Sequence, residues 1–388
     1  MREPPILRRR NNPLPYDIVL NIIERLPVKS VMRFRCVSKS MDSSITSHDF
    51  ISTHLNNINN DHDHDNGYVI HMPLRGTSRP SCSSPHPDTS VCTVAFDRTF
   101  DRISQVRVPF DFDFNRAQIV GSCNGLLCLA TFDNVIYLWN PSIRKFKRLP
   151  DTCLGKLESV RLGFAYHSEN DDYKVVRISS FPLCLHEIEV YTLSSDSWRR
   201  VGNSSKDNFI FCNKNLLVPA PLVSGALHWM AYMVEGQVMR WRSSIMSFDV
   251  NTETFRKLAL PNYTGDSYCI ALFKGKLAFT LHDGHGSQYS IWVMKEYGVV
   301  ESWNKIFVLP YERVATCLAF TEYGSLLVFY SYVTDMLKNQ GSKFVLIDIE
   351  TLHEKEDPDI QYPSYVATFM ESLFYLMEQK WCLTKNRW

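Results

Sequence analysis

A spacing of about fifty residues runs through this 388-residue chain and constrains its fold more than any other feature. Hairpin-type turns recur at Asn124-Gly125, Ser224-Gly225, Lys274-Gly275 and Tyr323-Gly324, with glycines 100, 50 and 49 residues apart. Each turn leads into a strand-like, largely apolar run: Leu126–Leu129, Ala226–Met230, Lys276–Leu281 and Ser325–Tyr330. The double interval holds one more unit, at Asp171–Ile178. A second marker keeps step with the first. A short strand, a turn and a bulky position recur at Trp139–Phe146, Val190–Trp198, Ser247–Phe255, Ile291–Trp303 and Leu346–His353, with anchors 52, 57, 48 and 50 residues apart. Two independent markers sharing one period define an array of short-strand units.

Units of this size, built of short strands, are what the four-stranded blades of a kelch-like β-propeller look like. Five are counted directly. Strand-like runs at Gly67–Met72, Val91–Phe96 and Ile103–Pro109 predict a sixth, completed by the final run Tyr365–Met377. That last run would close the ring and remove the edge an open array leaves exposed. The expected propeller therefore spans 67–377, with a tail at 378–388.

Residues 14–55 differ in kind. After a basic tail (residues 1–13, with Arg8-Arg9-Arg10), Leu14-Pro15 opens a segment of helical spacing. Pro15 suits a first turn, and Asp17 complements the helix dipole. Ile18, Val19, Ile22, Ile23 and Leu26 fall within an arc of about 140° at ~100° per residue, a stripe that Pro27 ends. A second helix is predicted from Val28 to about Lys39, with Val31, Phe34 and Val37 on one side and Val28, Met32 and Cys36 on another. A short helix apolar on two sides needs two burial partners. One is its own small core; the other is either a second protein or the body of this chain. Residues 1–50 hold nine Lys/Arg against five Asp/Glu, an excess that suits an acidic partner. The polar tract 56–66 reads as a linker.

The whole chain has a formal net charge of +1, which argues against a nucleic-acid binder. No apolar run reaches the ~18–20 residues that cross a bilayer, so no membrane partner is expected. Eleven scattered cysteines, never spaced C-x-x-C, read as small buried hydrophobes in a reducing compartment. The expected location is cytoplasm, nucleus or both. No G-x-S-x-G, P-loop, H-E-x-x-H or zinc-type spacing occurs, so no catalytic residue, metal ligand or cofactor is assigned. His282-Asp283-Gly284-His285 reads as a polar hairpin loop, because no further ligand is identifiable.

Several elements at fixed spacing carry a resemblance. Leu14-Pro15-Tyr16-Asp17-Ile18-Val19, Leu26-Pro27-Val28-Lys29-Ser30-Val31-Met32-Arg33-Phe34 and Arg35-Cys36-Val37-Ser38-Lys39-Ser40 together resemble a plant-type F-box, a three-helix module. Met41 stands where that family usually has tryptophan. Gly121–Leu129, Trp139-Asn140-Pro141-Ser142-Ile143-Arg144, Asp172–Arg177 and Phe248–Phe255 resemble the F-box-associated interaction domain, including its S-locus and kelch-like relatives. The resemblance implies a substrate receptor of a Skp–cullin–F-box ubiquitin ligase. It would dock a Skp-type adaptor, and through it a cullin-RING ligase, by Leu14, Pro15, Ile18, Ile22, Val31, Phe34 and Val37.

In a meandering blade with strands a to d, the a–b and c–d turns share one face and the b–c loops lie on the other. The longer b–c loops are expected at Phe181–Glu187, Tyr232–Ser243, His282–Tyr289 and Tyr332–Ser342, where recognition by a rigid scaffold usually resides. Tyr232, Arg240, Trp241, Arg242, His285, Tyr289 and Tyr332 are their candidate contacts to an unidentified target protein. The competing reading is a stand-alone kelch-like scaffold, or a propeller enzyme with a shallow site.

Overall fold

The computed structural model describes residues 14–60, 67–73, 91–96, 101–108, 117–131, 133, 135–154, 160–179, 186–203, 205, 208–212, 218–235, 238–261, 266–283, 288–310, 316–321, 324–333, 340–356, 364–374 and 382–383. Four helices form the head: α1 (Tyr16–Ile23), α2 (Val28–Phe34), α3 (Lys39–Ile45) and α4 (His48–Asn60). Pro15 and Pro27 each sit just before a helix, and their carbonyls accept the first intrahelical bonds, from Val19 at 3.2 Å and Val31 at 3.1 Å. The expected long second helix divides, because Ser38 caps α3 by accepting the Met41 N–H at 3.1 Å. Residues 56–60, expected as linker, continue α4. His54 explains part of that extension: its buried ring meets the Leu26 carbonyl at 2.9 Å and ties α4 to the end of α1.

The remainder is a six-bladed propeller. Blade 1 joins β1 (Gly67–Pro73), β2 (Val91–Phe96) and β3 (Arg102–Arg107) to β25 (Ser364–Met370), which is its innermost strand. Blade 2 is β4 (Ala117–Cys123), β5 (Leu126–Thr131), β6 (Ile136–Asn140) and β7 (Lys145–Arg148), with β26 (Cys382–Leu383) on its outer edge. Blade 3 is β8 (Val160–His167), β9 (Asp172–Ser179), β10 (Glu187–Thr192) and β11 (Ser197–Val201). Blade 4 contains β12 (Phe209–Phe211), β13 (Leu222–Val223), β14 (Ala226–Glu235), β15 (Val238–Asp249) and β16 (Thr254–Leu258). Blade 5 is β17 (Asp266–Phe273), β18 (Lys276–Asp283), β19 (Gln288–Met294) and β20 (Trp303–Pro310). Blade 6 is β21 (Thr316–Phe320), β22 (Leu326–Val333), β23 (Gln340–Ile347) and β24 (Glu354–Glu356). All described pairings are antiparallel, and the last-made inner strand closes the ring as the spacing predicts.

Six apolar wedges, one between each pair of neighbouring blades, make the core. A strand in the middle of a blade is therefore covered on both faces. This is why β5 reads Leu-Leu-Cys-Leu-Ala without alternation. Tryptophans on outer strands reach across the wedges: the indole N–H groups of Trp198 and Trp303 donate to Pro150 (2.9 Å) and Ala259 (3.1 Å) of the preceding blades.

The recurrent turns have a chemical cause. Asn140 and Asp249 end their strands and Asp348 directly follows its own, and each side-chain oxygen accepts the N–H two residues on, at 2.9 Å in all three. Blade 3 has Thr192 at that position, and Asp172 from the adjacent strand accepts the Ser194 N–H at 3.1 Å instead. Asn124 and Gly125 both have positive φ, as a type I′ hairpin requires. A Cβ on Gly125 would lie 2.4 Å from that of Ser372, whereas one on Gly225 meets open space. Gly125→Ala should therefore lower stability by about 2–4 kcal/mol, from backbone strain plus overpacking. Gly225→Ala should cost about 1–2 kcal/mol, from strain alone. Chemical denaturation of the two variants side by side checks the difference.

Candidate functional site: two opposed faces

The head has one face committed to the ring. Ile23, Val28, Val31, Met41, Ile45, Phe50 and Ile51 share a core with Ile143, from the turn after β6, and Leu373, just past β25. Met41 thus fills part of an apolar seam, a role its flexible thioether suits. Beside the seam, His48 hydrogen-bonds the Asp171 carboxylate, which also accepts the Tyr166 hydroxyl at 2.6 Å. The Tyr166 bond leads in holding the Asp171 carboxyl below its usual range, with His48 adding to it. Burial raises the Glu371 carboxyl, and Lys29 of the head partly offsets that.

The other face of the head is bare. Leu14, Ile18, Ile22, Phe34 and Val37 are exposed, from 36% at Phe34 to 69% at Val37, and Pro15 is exposed beside them. Among the described residues, six of the ten exposed large apolar side chains lie between Leu14 and Val37. Tyr16, which sequence reasoning left out of this set, is the sixth. The predicted α1 stripe is really two: Val19, Ile23 and Leu26 face the core, while Ile18 and Ile22 face out. Val31 requires correction, because it is fully buried in the head core and cannot touch a partner. The α2 helix ends at Phe34, so Val31 does not share a helical face with Val37.

Ile143, Asp171 and Leu373 all lie on the face of the a–b and c–d turns, so the head covers that face. The opposite face carries the b–c connections, and three are shorter than expected: His282 and Asp283 pair with Tyr289 and Gln288, and Tyr332 and Val333 pair with Gly341 and Gln340. Tyr232–Ser243 is no loop: β14 and β15 pair through Tyr232↔Ser243 and Met233↔Arg242 to Glu235↔Val238. The Gly236-Gln237 dipeptide between them was the available signal, since glycine first in a two-residue connection marks a hairpin. Tyr232 is half-buried, its hydroxyl 3.4 Å from the Cys212 Sγ. Arg240, Trp241 and Arg242 occupy β15 and Tyr332 occupies β22, and only their backbones are described. His285 lies outside the described residues. Tyr289 also requires correction, because it is 6% exposed and packs in the wedge between blades 5 and 6.

Between the inner strands of blades 2 to 5 the channel holds a cavity of about 60 Å³, with Gln118, Arg161, Pro221 and Ile270 in its wall. Gln118 and Arg161 sit near the starts of β4 and β8, on the loop-face side of this cavity.

A helical head seated on one face of a closed six-bladed ring, with an apolar patch outward, defines a two-module protein with two separate exposed faces. Residues 74–338 match the family described as F-box associated beta propeller domain, and residues 13–53 match the F-box domain. The chain belongs to the plant F-box proteins that carry an F-box-associated propeller. It is 28% identical to the F-box protein CPR1 of Arabidopsis thaliana over 94% of this chain and 89% of that one. It is 28% identical to the F-box/kelch-repeat protein At3g23880 of Arabidopsis thaliana, covering 76% and 79%. TolB from Acinetobacter baumannii shares the propeller fold at a TM-score of 0.50 and 13% identity, over 83% of this chain and 73% of TolB.

Proposed function

We propose that the chain is the target-binding subunit of a Skp–cullin–F-box ubiquitin ligase. The observation that carries this is the exposed Leu14, Ile18, Ile22, Phe34 and Val37 surface, on a head whose other side is already buried against the ring. Exposed apolar groups gathered on one small module mark a docking surface, here for the Skp-type adaptor. The loop face, turned away from it, is free to hold a target. In this reading the chain accelerates ubiquitin transfer by proximity, and the reacting groups belong to the target and to the charged enzyme.

Adaptor binding by the full chain tests this. Ile18→Asp combined with Val37→Asp should weaken binding about 100-fold or more, since charges are placed against an apolar partner surface. The unfolding temperature should not change, because both side chains face water. Val31→Ala should do the reverse, lowering stability while the remaining folded chain keeps its affinity. Unchanged adaptor affinity in the double variant would sink the proposal.

A further inference from the structure

Buried cations in blades 2 to 4 come with carboxylates. Arg177 meets Glu189 at 2.6 Å, Lys147 meets Asp196 at 2.9 Å, and Lys174 meets Glu253 at 3.0 Å. Arg161 departs from that pattern. It is partly buried in the wall of the channel cavity, on the innermost strand of blade 3. Among the described residues its one hydrogen bond is a 3.3 Å donation from Nη1 to the carbonyl of its own neighbour Val160. A guanidinium presents five donors in a rigid plane, and among the described residues this fork meets one acceptor. Burial lowers the pKa of the group and the Cys212 thiol in the same wall acts against that, while among the described residues no carboxylate pairs with it. Gln118 adds an amide, Cys212 a thiol and His228 an imidazole to the wall, beside apolar surface from Ile119, Trp229 and Ile270.

From these observations we propose that this channel cavity is a carboxylate-binding pocket, with Arg161 supplying the fork that receives the anion. The cavity, about 60 Å³, is several times the ~10–15 Å³ that one water probe occupies. It is well below the roughly 300–1,000 Å³ of a drug-sized site. It therefore fits the end of an acidic side chain or a small free carboxylic acid. The first source rests on the target-receptor reading above; the second does not.

The test uses the full chain, with adaptor binding read in parallel. The probes are glutarate and the blocked peptide acetyl-Gly-Glu-Gly-amide, each against its neutral amide isostere. At least one acid should bind ten-fold or more tighter than its isostere, and Arg161→Gln should abolish that difference. Arg161→Lys should retain part of it. Peptide binding alone assigns the pocket to a target side chain; glutarate binding alone assigns it to a free acid. The proposal is overturned if neither acid outbinds its isostere, or if Arg161→Gln binds as the parent does. Failure of adaptor binding counts against the receptor reading and leaves the pocket result standing.

Discussion

A chain ending at residue 363 will not form the ring. It lacks β25, which pairs with β1 from Gly67↔Met370 to Pro73↔Ser364 and forms the inner wall of blade 1. Tyr365, Val366 and Phe369 are buried there, and at roughly 1.5–3 kcal/mol per large side chain their loss withdraws about 5–9 kcal/mol. That is on the scale of a whole domain's stability, ~5–15 kcal/mol. The truncation also bares the inner edge of β1, a template for pairing with other chains. Expression of this variant should give aggregated protein without a cooperative unfolding transition. A chain ending at 374 keeps β25 and Leu373 and, among the described residues, gives up only the two β26 pairs. It should unfold within about 1 kcal/mol of the full chain, and a soluble, cooperative 1–363 protein would show that closure is dispensable.

Glu189→Ala should cost about 3–5 kcal/mol, because it removes the carboxylate that a buried guanidinium faces. Arg177 and Glu189 are both buried in the middle of blade 3, at 2.6 Å, and Glu189 also accepts the Leu154 N–H at 2.9 Å. Removing both charges, as Arg177→Met with Glu189→Leu, should recover much of that loss, since a buried ion pair is often no better than apolar residues of similar volume. Recovery will be incomplete: the Leu154 N–H still loses its acceptor, worth about 1–3 kcal/mol. Denaturant midpoints of the single and double variants decide this, and equal loss in both would mean the charge itself is not the issue.

Much of the fold was legible because a propeller repeats its physics. A central strand covered on both sides must be apolar throughout, and a type I′ hairpin wants positive φ at two residues, so Leu126–Leu129 after Asn124-Gly125 announces a blade. The leftover strands at the two ends of the chain had only each other to pair with. The functional faces were less legible. Ile18 and Ile22 lie in one arc with Val19 and Ile23, and only the docked ring separates outward from inward. Val31 and Tyr289 are apolar or aromatic at positions where burial depends on a partner distant in sequence. Tyr232–Ser243 looked like a loop because Arg240-Trp241-Arg242 is charged, although Gly236-Gln237 marked a hairpin. Ile143 was visible as an isoleucine inside a polar turn, a place where only a neighbouring module gives it cover. Arg161 left no signal at all; one arginine at the start of a strand is ordinary until the ring places it in the channel.

Leu373 has a temporal meaning. It is among the last described residues to leave the ribosome, yet it packs in the core of the first module made. During synthesis the head then lacks part of its packing until β25 has slotted into blade 1 and brought Leu373 with it. In the proposed receptor, its affinity for an adaptor then reports more than the presence of four helices. Nascent, clipped or misassembled copies would present a looser grip, and recruitment to a ligase would favour molecules whose manufacture is finished.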